Sequence, residues 1–331
     1  MYSCKNIHKM KRFFGMLFAI LTLMVTTQCN SVREENWYEK GEALYDKGDY
    51  VEAIELFKKG AEQGDAAAQC ALGICYVKGH GTNIEPVEAL KYFRLAEKQG
   101  FAKAQYNLGV CFTKGVGVEQ NYVEALNWYR KAAEQDYIPA LYNIWQCYHV
   151  GQGVKQDNEE AIKWLRRIIE QWDKGNSTES QDTKLKPIVA TTQYNLGFHY
   201  YNGLGVEQDY SEAVKWYRSV VEQGYTPIEF DETLDTIYKK VVASAQSNLG
   251  RCYVEGQGVT QDYEAAVKLW RQAAELGDSG AQYNLACCYR YGAGVTKDLS
   301  QAIAWFTKAA EQGVANAQKA LEELGVSDFN K

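Results

Sequence analysis

The chain has 331 residues, 46% of them hydrophobic and 24% charged, with a formal net charge of −6 and only four prolines. That acidic balance argues against a nucleic-acid-binding or anionic-membrane surface, and the hydrophobic content is ample for packing. Nine cysteines and four histidines leave disulfide and metal chemistry to be judged from spacing.

Lys11-Arg12 precede an apolar run of 13 residues, Phe13 to Val25. A charged start and so short a run fit an export signal better than a membrane span. Met10 is an alternative start, because the chain from there reads as a complete signal. The run ends in Thr26-Thr27-Gln28-Cys29, which resembles a bacterial lipoprotein signal, with Cys29 as the lipidated first residue. An ordinary secretion signal and an uncleaved anchor remain the other readings. Lys5, Lys9, Lys11 and Arg12 all precede Cys29, so a chain starting there carries about −10. Residues 29–36 read as a polar tether.

Asn36 to Gly64 holds two helical patterns separated by Gly48-Asp49, the second with Ala53, Ile54, Phe57 and Ala61 on one face. This unit resembles a tetratricopeptide repeat, spanning 37–64. Longer units follow. Gln69, Gln105, Leu141, Gln193, Gln246, Gln282 and Gln318 occupy one column, at steps of 36, 36, 52, 53, 36 and 36 residues. The long steps place insertions near 173–188 and 225–241, each between the second helix of one repeat (B) and the first of the next (A). The first insertion is polar and reads as a loop. The second has helical spacing from Asp231 and is expected to lengthen the following helix A. A lone helix, Ala315 to Leu324, closes the array.

Each column has a physical reason. Ala104, Leu108, Cys111 and Phe112 form the packed stripe of helix A. Gly73, Gly109, Gly197 and Gly250 let a neighbouring helix come close. The loop Gly115-Val116-Gly117-Val118 recurs four more times, the first Gly stopping the helix and the second permitting the reversal. Asn121, Asp157, Asp209, Asp262 and Asp298 start helix B, mostly as capping boxes with an acid or amide three residues on.

The pattern A-x-A-Q-Y-N-L-G…Y-x-x-G-x-G-V…D-Y-x-x-A-x-x-W-Y-x-x-A-A-E-Q-G is similar to the Sel-like repeat family, relatives of tetratricopeptide proteins. It covers 65–325 as six repeats and a capping helix, leaving 1–28 as export signal and 326–331 as tail. The resemblance implies an all-α fold, a right-handed α/α superhelical solenoid of helix-turn-helix repeats. It also implies a non-catalytic protein-binding scaffold, with no catalytic residues and no cofactor.

The glycine loops lack the preceding strand that a dinucleotide fingerprint needs, a helix standing there instead, and the motif occurs five times. Cys75, Cys111, Cys147, Cys252 and Cys288 share one column, with His199 filling it in the fourth long repeat. Equivalent positions should lie roughly 15–20 Å apart if helices pack 8–10 Å apart, beyond the ~7 Å that a disulfide needs. They are expected to be buried thiols. No Cys-x-x-Cys or paired His marks a metal site.

The stripe of helix A opposite the core holds Tyr106, Asn107 and Val110, then Tyr142, Asn143 and Gln146, then Tyr194, Asn195 and Phe198. Asn248 and Arg251, then Tyr283, Asn284 and Cys287, continue it. In tetratricopeptide-type solenoids helix A lines the concave groove, so the Tyr and Asn ladder is a candidate peptide site. The same residues also suit the stacking of neighbouring helices. Trp145 stands in the glycine column, where a large ring is expected to splay the helices or point outward, and it joins the candidate site. The expected function is a scaffold that binds a protein or peptide, exported and tethered to the outer membrane or periplasmic, touching membrane only through an N-terminal lipid or signal anchor. The alternatives are a hydrolase-like envelope enzyme with a site at the insertions, and a purely structural envelope spacer.

Overall fold

The computed structural model describes residues 36–175, 183–228 and 231–326. The expected export signal, Cys29 and nearly all of the expected tether lie outside the described residues, as do the middle of the first insertion and the tail after Val326. No helix among the described residues is long and apolar enough to cross a membrane. Backbone packing divides the chain into two units, one through Gln99 and one from Gly100. The first holds α1 (Trp37–Tyr45), α2 (Tyr50–Glu62), α3 (Ala66–Lys78) and α4 (Pro86–Glu97). The second holds α5 (Ala102–Lys114), α6 (Tyr122–Ala133), α7 (Ile138–Val150), α8 (Asn158–Gly175), α9 (Lys186–Asn202) and α10 (Tyr210–Gln223). It continues with α11 (Glu232–Glu255), α12 (Tyr263–Glu275), α13 (Ser279–Tyr291), α14 (Leu299–Glu311) and α15 (Ala315–Glu323). The described residues are thus all-α, arranged as paired helices in a solenoid.

Odd-numbered helices are the A members and even-numbered ones the B members. In the second unit α7 touches α9 and α9 touches α11, whereas no two B helices pack together to that extent. The A helices therefore form the inner row.

Helix ends follow from the residues placed there. Gly79, Gly115, Gly151, Gly203, Gly256 and Gly292 end the inner helices with φ between 67° and 83°, the left-handed stop that glycine adopts without penalty. The second loop glycine does more than reverse the chain. A Cβ on Gly153 would lie 2.3 Å from the carbonyl oxygen of Tyr122, the first residue of the preceding outer helix. Gly205, Gly258 and Gly294 meet Asn158, Tyr210 and Tyr263 in the same way. Each loop is thus docked, backbone to backbone, on the repeat before it. Asn121, Asp157, Asp209, Asp262 and Asp298 accept from the N–H groups of the first turn as expected. The acids three residues on are used differently: Glu160 and Glu212 pair with Lys163 and Lys215 at 2.9 and 3.2 Å.

The helix pair of each repeat interlocks at one point. A Cβ on Gly73, Gly109, Gly197 or Gly250 would sit 2.4–2.7 Å from the ring of Phe93, Tyr129, Tyr217 or Trp270, each 20 residues further on. The ring occupies the space the glycine leaves, a knob against a bare backbone. The third long repeat inverts the arrangement. Trp145 stands in the glycine column, and the outer helix carries Leu165 where the others carry a ring. Trp145 is only 6% exposed and Leu165 is fully buried. The indole neither splays the helices nor points outward, because the partner position has shrunk to receive it.

Trp145 also packs at 5.0 Å from Tyr142 and stacks at 5.2 Å on His149, which meets His199 at 5.4 Å. His199 is 1% exposed, and its Nδ1–H donates to the Leu204 carbonyl at 2.8 Å. Its Nε2 and the Nδ1 of His149 have no partner. Burial, with the neighbouring His149 adding to it, holds the His199 pKa below the ordinary histidine value, while the bond to Leu204 works the other way.

A second set of ties is made by glutamines 30 residues apart. Gln99, Gln135, Gln223 and Gln312 donate to the column glutamines Gln69, Gln105, Gln193 and Gln282 at 2.7–3.0 Å. The column glutamines are at least nine-tenths buried, so each amide needs this partner. At Gln246 the partner position is Leu276, and the Gln246 Oε1 is buried without an acceptor's due.

The second insertion is helical as expected. Asp231 caps α11 through the Leu234 N–H at 3.0 Å, and α11 runs 24 residues into the repeat proper. The described ends of the first insertion are helical rather than loop: α8 runs to Gly175, and a 3₁₀ turn, Thr183–Leu185, leads into α9.

Trp145→Gly should lower the stability of the second unit by about 3–5 kcal/mol. Adding Leu165→Tyr should restore a large part of that loss, as measured by urea unfolding in a double-mutant cycle. Acid should also weaken this unit. The folded His199 resists the proton that the unfolded chain accepts, so stability is full above pH ~6.5 and falls as pH drops below that value. Urea midpoints at neutral and mildly acidic pH should show the loss, and His199→Cys, the residue other repeats carry there, should reduce it.

Candidate functional site

The inner row of the second unit brings the sequence-nominated residues into one register, repeat after repeat. Their side chains are largely engaged. Tyr106 packs at 5.9 Å from the Tyr129 ring and 5.4 Å from the Tyr137 ring. Burial raises its pKa, opposed by a hydrogen bond with Asn143 of the next repeat. Tyr194 lies 5.9 Å from the Tyr217 ring, and its hydroxyl accepts from Asn248 of the next repeat at 3.4 Å. Tyr142 rests on Trp145 with a pKa pushed up to about 12 by burial, and Tyr283 rests on Phe306 at 5.6 Å. Asn107, Asn195 and Asn284 are half-buried in the same register. Trp145 lies in the core. At Tyr106 and Tyr194 the ladder therefore joins consecutive repeats, an Asn of one repeat reaching the Tyr of the previous one.

The next position along each helix holds Val110, Gln146, Phe198, Arg251 and Cys287, of which Val110, Arg251 and Cys287 are half-buried. Gln146 is exposed and Phe198 is 38% exposed. Between α5 and α7 this surface forms a cleft of about 240 Å³, lined among others by Tyr106, Val110, Thr113, Lys114, Asn143 and Gln146. Thr113 Oγ1 and the Tyr129 hydroxyl lie 2.8 Å apart on its wall. Burial pushes Tyr129 to about 12 and Cys147 to about 11, so both are protonated at neutral pH. The cleft thus offers donors, amides and ring faces, which suit the binding of a chain rather than the activation of a nucleophile.

A second cleft, about 500 Å³, lies at the insertions, between the ends of α8 and α10 and the starts of α9 and α11. Trp172, Asp173, Lys186, Ser219, Glu222 and Tyr238 line it. The Ser219 hydroxyl donates to the Lys215 carbonyl at 3.0 Å, the ordinary back-bond of a helical serine.

The column thiols Cys75, Cys111, Cys147, Cys252 and Cys288 are all buried. Burial, the largest cause in each, brings every one to about 11. They fill space as small apolar groups. Among the described residues no three His, Cys, Asp or Glu side chains group to hold a metal ion.

Two devices escaped the reading of the sequence, the glutamine pairs and the Trp145/Leu165 exchange. Both were written there as fixed offsets of 30 and 20 residues between helices of known register.

The Sel1 repeat profile matches residues 66–101, 102–137, 139–171, 190–225, 243–278 and 279–314, and a tetratricopeptide repeat profile matches residues 35–68. A Sel1 repeat protein from Oxalobacter formigenes, known from its crystal structure, is 27% identical with a TM-score of 0.61, over 83% of this chain and 97% of that one. The Escherichia coli protein c5321, described as a protective antigen present in uropathogenic strains and displaying an SLR fold, is 32% identical over 82% of this chain and 67% of that one, with a TM-score of 0.46. Sel1 repeats generally mediate protein–protein interaction. With six of its repeats matched over more than half its length, this chain belongs to the Sel1 repeat family.

Proposed function

We propose that the chain is a non-catalytic scaffold whose second unit receives a protein or peptide along its inner row. The observation that carries the reading is the cleft between α5 and α7. Its walls combine ring faces, amides and hydroxyls on rigid helices, the mixture that binds an extended chain. Specificity in this reading comes from the positions Val110, Gln146, Phe198, Arg251 and Cys287, which differ in every repeat, and not from the Tyr and Asn ladder, which joins consecutive repeats at Tyr106 and Tyr194.

The test is site-specific photo-crosslinking in cells of the source organism. A photoreactive residue at Val110 or Gln146 should give one and the same discrete adduct, and one at Lys163 or Lys215 on the outer row should not give it. Equal adducts from both rows, or none from the inner row, would remove the groove from consideration.

The run from Lys11 to Cys29 supports export and a lipid on Cys29 as the tether to the outer membrane. Cys29→Ala should shift the protein from the membrane to the soluble fraction on ultracentrifugation. Unchanged membrane association would show that the tether is not a lipid at that residue.

A further inference from the structure

Charge is sorted between the two rows of the second unit. The outer helices α6, α8, α10, α12 and α14 all contain Asp or Glu, whereas the inner helices α5, α7, α9 and α13 contain none and the terminal α15 carries Glu322 and Glu323. The inner helix α11 carries its acids only towards its ends, at Glu232, Asp235 and Glu255. Lys103, Lys114, Lys186 and Arg251 belong to this inner row. Within the inner row, α5, α9 and α13 thus carry Lys or Arg with no acid on the same helix.

Arg251 stands apart from the other arginines. Arg130, Arg166, Arg218 and Arg271 donate to the hydroxyls of Tyr148, Tyr200, Tyr253 and Tyr289 on the next inner helix. Arg167 and Arg290 pair with Asp136 and Glu323. Among the described arginines of this unit, only Arg251 makes neither kind of bond. Its guanidinium carbon lies 4.5 Å from the centre of the Tyr201 ring, and its Nε is out of solvent with no acceptor. Glu255, four residues on, accepts instead from the Tyr201 hydroxyl at 2.9 Å. A guanidinium held over a ring, with none of its N–H groups bonded to a carboxylate or hydroxyl, is placed to take an oxyanion on its fork.

The surroundings suit a peptide. Phe198, the counterpart of Arg251 in the preceding repeat, exposes its ring, and the Tyr194–Asn248 pair lies on the same two helices. We propose that Phe198 and Arg251 form the anchor of the inner groove. Its occupant is an acidic, extended segment of a partner protein, with one carboxylate on Arg251 and an apolar neighbour on Phe198. The proposal rests on the groove reading above and adds the chemistry of the partner.

The test uses the full chain and rhodamine-labelled peptides of repeated Gly-Phe-Xaa, with Xaa as Glu, Gln or Lys, followed by fluorescence anisotropy. The Glu peptide should bind about tenfold more tightly than the Gln peptide, the order expected of one charge-assisted fork contact, and the Lys peptide more weakly still. Added salt should weaken the Glu peptide selectively. Arg251→Gln, shown folded by circular dichroism, should bring the Glu peptide to the level of the Gln peptide, and Lys163→Gln on the outer row should leave the difference intact. Equal binding of Glu and Gln peptides by the unaltered chain would overturn the proposal, as would a preference that survives Arg251→Gln. If the Gln peptide binds equally well and blocks crosslinking from Gln146, the groove stands and only its acid preference falls. Failure of all three peptides also overturns the acid preference, and the groove is then decided by its crosslinks alone.

Discussion

The structure depends on one contact made in four of the six long repeats: a ring from the outer helix laid against a bare stretch of inner-helix backbone. A glycine in mid-helix costs about 1 kcal/mol relative to alanine, and at Gly109 a side chain has no room because the Tyr129 ring already fills the place. That contact sets the distance between the two helices. The distance sets where the next repeat can dock, and the docking of Gly153 on the Tyr122 backbone fixes the stagger of the next loop.

Most of the fold was legible because repetition averages out the ambiguity of any single segment. Five glycine loops with the same helical stripes on either side leave little choice of element or register. The boundaries that sequence placed least well are those at the first insertion, where a polar composition hid the extension of α8 through Gly175. Its Trp172 and Ile169 continue the outer-helix stripe, but Asp173, Lys174 and Gly175 dilute the periodicity.

The candidate site was legible in part. Sequence periodicity put Tyr106, Asn143, Tyr194 and Asn248 on the inner row, yet it could not say that an Asn of one repeat reaches the Tyr of the repeat before it. Such contacts depend on the distance between helices separated by a whole pair, which no local pattern encodes. Trp145 was misjudged for a related reason. Its column was read by itself, whereas its meaning lies in Leu165, 20 residues away on the facing helix. A substitution in a repeat is interpretable only with the position it packs against.

The helix α11 gathers two polar groups the fold leaves without partners, the Oε1 of Gln246 and the Nε of Arg251. In a linear array, stability is the sum of repeat terms and nearest-neighbour terms. Unanswered groups at the seam between α9 and α11 weaken that nearest-neighbour term, and a guest that spans the two helices would strengthen it. Cohesion of that seam and occupancy of its inner face then become the same thermodynamic variable, so that opening the seam and loading it are opposed by a single free energy.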